Sequence, residues 1–211
     1  MPSKKQFLIS GYYAGIIYFS VLMILITLQY IPVDFKAAFL RIKQDEIALV
    51  HYQWSFFIHV YISIFVLLLG ITQFSKSIRL KYRSWHKAMG KAYVGLILFL
   101  AAPSGLVMAF YANGGFFSKL AFVLLAVFWF YFTFKAFQKV KQKDWIGHQK
   151  FMLRSYALTL SAISLRLFKW GLVAVFEWPP MDNYRIVAWA GWLVNLIIVE
   201  IYIYFNLRRA I

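Results

Sequence analysis

"GHQKFMLRSYALTLSAISLRLF", residues 147–168, is the stretch whose reading decides the fold. As an α-helix it would extend about 33 Å, at about 1.5 Å per residue, which is enough to cross the hydrocarbon core of a bilayer. Yet it carries His148, Arg154 and Arg166. Charged side chains are costly at that depth, so they face a protein interior, a cavity or a partner. A lone helix has no interior, so the stretch implies a membrane-embedded bundle with a polar core.

The rest of the chain agrees. Of its 211 residues, 63% are hydrophobic and 21% aromatic, in long apolar runs divided by short polar loops. That pattern predicts an all-α polytopic membrane protein, one domain over residues 1–211. Six segments are long enough to span, about 7–31, 53–74, 91–111, 118–138, 149–170 and 186–207. The first is too long for a signal-peptide core and lacks a small-x-small cleavage site, so it reads as a retained helix. Cysteine is absent, which excludes disulfides, thiolate metal sites and thiol chemistry. A net charge of +16 would suggest nucleic acid in a soluble chain. Here the basic residues bracket apolar spans, and they report topology and contact with the lipid bilayer instead.

Charge asymmetry orients the segments. "SKSIRLKYRSWHKAMGK" (75–91) and "KVKQKDWIGHQK" (139–150) are strongly basic, Lys4 and Lys5 precede the first segment, and Arg208 and Arg209 follow the last. "PVDFKAAFLRIKQDE" (32–46), "ANGG" (112–115) and "FEWPPMDNY" (176–184) carry few or balanced charges. The positive-inside rule therefore puts both termini and both basic loops in the cytoplasm, with the protein in a bacterial inner membrane. Phe35, Phe39 and Ile42 recur at helical spacing, which predicts a short interfacial helix on the outer leaflet. Pro103 predicts a kink in the third segment, eased by Ser104 and Gly105.

Polar residues fall in stripes. At about 100° per residue, positions 18 apart return to one helical face, so His148 and Arg166 align with Ser155, Thr159 and Ala162 between them. His86, Gly90, Tyr93, Ile97 and Ser104 share a face of the third segment, and His59, Ser63, Gly70 and Gln73 a face of the second. The last segment contributes Asn195 and Glu200. Glu200 lies about 20 Å into the membrane from Ile186, near the depth of Arg154, and the two are predicted to pair. Arg166 lies near the level of His59, and His86 and His148 share the inner level.

Two histidines at one depth on facing helices suit a b-type haem, whose iron takes one axial imidazole from each side. Gly90 and Ser155 would leave room for the ring, with Lys87, Lys91 and Arg154 as cations for the propionates. A zinc site would need more ligands than these helices bring together. His59, Gln73, Arg166, Asn195 and Glu200 would then form a separate polar pocket, for a quinone or another small acceptor. The competing reading is a proton-coupled transporter or permease of a small solute or ion, with those five residues along its path. A third is an accessory protein that only binds partners in the membrane. Interfacial anchoring also accounts for His86 and His148, which stand beside Trp85 and at the start of a helix.

"IHVYISIFVLLLGITQF" (58–74), "WHKAMGKAY" (85–93) and the opening stretch together resemble bacterial membrane proteins of domain-of-unknown-function family 2306. The resemblance covers most of residues 50–205 and includes His59, Gly70, Gln73, His86, Gly90, Tyr93, His148, Met152, Arg154, Ser155, Arg166, Asn195 and Glu200. Lys87 and Lys91 stand where that pattern has arginine, Gln149 follows the third histidine, and Phe151 replaces tryptophan. It implies no activity. A weaker resemblance, to ascorbate-reducible b-type transmembrane cytochromes, implies a four-helix core with haem between the third and fifth helices. The fourth segment has no histidine, so at most one bis-histidine haem follows from it.

Overall fold

The computed structural model describes residues 4–176 and 179–207. Arg208 and Arg209, and the side chains of Lys4 and Lys5, lie outside the described residues. Ten α-helices follow in order: α1 (Lys4–Leu28), α2 (Gln44–Ile47), α3 (Val50–Gln73), α4 (Lys76–Lys81), α5 (Arg83–Leu96), α6 (Ala102–Phe110), α7 (Gly115–Lys141), α8 (Trp145–Thr159), α9 (Ser161–Phe176) and α10 (Pro180–Leu207). A π-helical stretch, Ile97–Ala101, joins α5 to α6 in one span.

Four helices are long and apolar enough to cross a membrane: Val50–Gln73, Arg83–Phe110, Gly115–Lys141 and Met181–Leu207. The pair α8 and α9 makes a fifth if counted as one bent span. For the expected first span the described residues give a shorter apolar stretch, Ala14–Leu28, so they give four or five of the six expected spans. The third segment begins earlier than its apolar run, because the basic stretch from Arg83 is already helical.

Helices α3, α5–α6, α7 and α8 form a four-sided core in which α3 and α7 are diagonal, as are α5 and α8. Helix α10 packs along α7, α8 and α9, and α1 lies against α3 and α9. Lipid gives helices no hydrophobic drive to associate, so close packing of small residues does the work. Ala101, Ala102, Ala121, Ala136, Ala157 and Ala188 are all buried at these contacts. Gly70 lets the Tyr156 ring lie directly on α3, where a side chain would collide with it.

Two irregularities shape the interior. Between α8 and α9 the axis turns by 41°. The bend has a local cause: Thr159 Oγ1 donates to Ser155 O at 3.1 Å, and such back-bonding bends helices. This corrects the 18-residue return, which assumes a straight helix: His148 is on α8 and Arg166 beyond the bend on α9. The second irregularity is the π-helical stretch just before Pro103, whose missing N–H and ring disturb the turn below. Ser104 Oγ donates to Leu100 O at 2.6 Å there.

The expected interfacial helix is instead a 3-10 turn, Ala38–Ile42, followed by α2, folded as a lid over the end of α3. Leu40 and Ile47 are its buried anchors, packed with Tyr30, Tyr52 and Phe56, while Phe35 and Ile42 are exposed. Tight turns present different positions inward from those a regular helix would. Lys43 in the lid is 1% exposed, and its Nζ donates to Glu46 Oε1 at 2.6 Å, to Tyr111 O and to Asn113 Oδ1. The lid is thus pinned to the loop between α6 and α7. Gly114, at φ 85°, makes the left-handed turn there, and its carbonyl accepts from Arg185 Nε at 3.1 Å.

Candidate functional site

On α3, His59 meets α6 through two small features. Gly105 leaves room for the imidazole, whose Cε1 would lie 2.8 Å from any added Cβ. The ring Nδ1–H donates to Ala101 O at 2.8 Å, at the end of the π-helical stretch. That bond fixes the tautomer and leaves the Nε2 lone pair for another partner.

His59 lines a partly open cavity of about 250 Å³ bounded by α1, the lid, α3, α6, α7, the α8–α9 bend and α10. Its polar lining includes Ser63, Thr159, Ser161, Lys43 and Arg166. Arg166 Nη1 donates to Ala162 O at 2.7 Å, and no carboxylate pairs with it among the described residues. Ser63 Oγ is buried and makes no hydrogen bond in this packing. The remaining walls are mostly apolar, with Phe122, Leu125, Trp129 and Leu165 among them.

A hydroxyl network closes the cavity on the His148 side. Tyr93 Oη reaches from α5 across the diagonal to Ser155 Oγ at 3.0 Å and Thr159 Oγ1 at 2.9 Å. Trp129 Nε1 donates to Thr159 Oγ1 at 3.0 Å, and Thr133 Oγ1 lies 2.7 Å from Ser155 Oγ. Tyr93, Thr133 and Ser155 are fully buried. Every polar atom named here has a partner, as a low-dielectric interior requires.

Of the residues expected in the polar pocket, only His59 and Arg166 line the cavity. Gln73 is buried beside Gly90 and donates to Thr72 Oγ1 at 3.1 Å. Asn195 ties the bent helix together, accepting from Ser164 Oγ at 2.9 Å and donating to Ala157 O at 3.1 Å. Arg154 and Glu200 form a bidentate pair, with Nη2 to Oε2 at 2.8 Å. Arg154 also lies over the Phe132 and Phe151 rings, and the pair borders a surface groove away from His59. Lys43 and Trp129 were missed. Only the i, i+3 spacing of Lys43 and Glu46 hinted at the first, and nothing local marks the second.

The inner histidines face a different environment. His148 Nδ1–H donates to Ala136 O at 2.9 Å, whereas His86 Nδ1 is buried without a partner. The two positions expected beside a porphyrin ring are taken up in this packing. The Gly90 face is occupied by Gln73, whose Oε1 would lie 3.0 Å from an added Cβ, and the Ser155 hydroxyl is bonded to Tyr93 and Thr133. Arg154 is engaged by Glu200, while Lys87 and Lys91 are exposed. No cluster of three or more metal-ligating side chains occurs among the described residues.

These features define a class: an all-helical, polytopic membrane protein with a four-helix core and a partly open cationic cavity at a helix break. More particularly, the chain belongs to the predicted membrane protein family DUF2306, whose model matches residues 56–203. No curated protein and no solved structure matches the chain. The likeness to b-type cytochromes has no counterpart in these comparisons.

Proposed function

We propose that this protein binds a small solute in the His59–Arg166 cavity and carries it across the membrane as a permease. The observation that carries the reading is the cavity itself: an arginine and a histidine Nε2 that have no ion-pair or hydrogen-bond partner of their own among the described residues beyond Ala162 O, beside a broken helix. Discontinuous helices in secondary transporters commonly bracket the substrate site. The cavity lies between two polar closures. The Lys43 lid separates it from the side opposite the basic loops, and the Tyr93 network from the basic-loop side. Alternate opening of the two is the motion that transport would need, and protons are the coupling ion that histidine chemistry at the site suits.

Uptake into proteoliposomes tests this. Wild-type protein should accumulate a small organic solute above protein-free vesicles, and an imposed proton gradient should raise the rate. Arg166→Gln should remove uptake, while the Arg154→Gln/Glu200→Gln double variant, remote from the cavity, should retain it. No protein-dependent uptake across neutral, cationic and anionic solutes would reject the permease reading. The redox alternative has less support, because Gln73 lies against Gly90 and Tyr93 bonds Ser155, the two small residues expected beside a haem ring.

A further inference from the structure

Resting on the cavity reading above, we infer that its solute is a small monocarboxylate with an apolar or aromatic body. Charge balance comes first. Among the cavity-lining residues there is no aspartate or glutamate, and two are formally cationic, Lys43 and Arg166. The ammonium of Lys43 is already satisfied by Glu46 Oε1, Tyr111 O and Asn113 Oδ1. Arg166, exposed at the open part of the cavity, is the lining cation with no carboxylate partner among the described residues, and one negative charge on the ligand meets it. A guanidinium presents two parallel N–H donors that match a carboxylate in geometry as well as charge. A second carboxylate, or a phosphate dianion, would bring a charge with no partner into apolar walls.

Shape and polarity agree. The cavity of about 250 Å³ is smaller than pockets that take drug-sized ligands. At about 30 Å³ for each water-sized group it holds roughly eight of them. Phe122, Leu125, Trp129 and Leu165 offer that volume an apolar and aromatic wall. Arg166 and His59 define a polar end, where the Arg166 N–H groups and the Ser63 hydroxyl can donate to a carboxylate and the His59 Nε2 lone pair can accept from a hydroxyl on the ligand. The ligand is therefore polar at one end only.

Equilibrium binding to the full chain in detergent micelles, followed by calorimetry, tests the class with benzoate, benzamide, phthalate and inorganic phosphate. Benzoate should bind saturably and at least about tenfold more tightly than its uncharged isostere benzamide, and phthalate and phosphate should bind no better than benzamide. Arg166→Gln should weaken benzoate by about tenfold or more, and Arg166→Lys should restore part of that loss. The benzoate–benzamide comparison uses wild-type protein, so it stands even if an Arg166 variant fails to fold. Equal binding of benzoate and benzamide, or benzoate affinity untouched by Arg166→Gln, overturns the monocarboxylate assignment. If a neutral solute is then taken up in an Arg166- or His59-dependent manner, the permease reading survives without it. If no solute binds and none is transported, both fall.

Discussion

A methyl group at position 105 would press on His59, whose Cε1 lies 2.8 Å from where that carbon would be. Gly105→Ala should therefore displace the imidazole from Ala101 O and weaken solute binding as His59→Ala does, with the fold retained. Calorimetric affinities on the folded variants check this, and unchanged affinity would separate His59 from the site. Tyr93 carries a different burden. Tyr93→Phe leaves Ser155 and Thr159 short of a partner in the core and should cost about 1–3 kcal/mol of stability, read from unfolding in detergent. For Arg154 and Glu200, which meet across α8 and α10, neutralising either should harm stability more than neutralising both. Damage in the double variant equal to the sum of the two singles would mean that the pair contributes no coupling. At this scale much was legible. The depths of Arg154 and Glu200 gave their meeting, and His59 and Arg166 emerged at one level. The sequence did not reveal that Asn195 bonds Ser164 and Ala157, partners on other helices, or that Gln73 bonds its neighbour Thr72 and lies against Gly90.

At the scale of the elements, the proposed transport would depend on the lid. Burial alone would raise the Glu46 carboxyl, but the hydrogen bond from Lys43, its own backbone and the charges of Lys43 and Lys119 outweigh it and hold the group below the usual carboxylate range. A depressed pKa in the folded protein means that the Lys43–Glu46 latch is intact above that range and is lost as pH falls through the lowered value. Acid on the lid side should thus loosen the lid. The chain has no cysteine, so Ser161→Cys places one thiol in the cavity lining. Its labelling by a membrane-impermeant disulfide reagent, normalised to an exposed cysteine, should speed up in acid. In the Glu46→Gln background it should be fast at both pH values; slow labelling there would show that the lid does not control entry. The lid, the π-helical stretch and the 41° bend all fell in segments that apolar periodicity marks only as helical. Pro103 announced one irregularity. The bend at Leu160 had no proline or glycine to announce it, since a threonine hydroxyl and its neighbours on α5 and α7 produce it.

At the scale of the whole molecule, the packing makes a spectroscopic prediction. With Gln73 against Gly90 and Tyr93 bonded to Ser155, protein purified from haem-replete cells should show no Soret band. A band that shifts on dithionite reduction and vanishes in His86→Ala or His148→Ala would return the redox reading to first place. What the sequence determined by itself is the membrane class, the helical content and the level at which each polar group sits. Hydrophobic run length and rise per residue fix those locally, one segment at a time. Only the tertiary structure decided which polar groups share a space. A charged or hydroxyl side chain must leave the lipid, but many inward directions satisfy that demand equally. The choice among them depends on which neighbour is small enough, bent enough or unpartnered enough to receive it. His59 found Gly105 and the Ala101 carbonyl, Tyr93 found two hydroxyls across the bundle, and Arg166 was left facing the cavity.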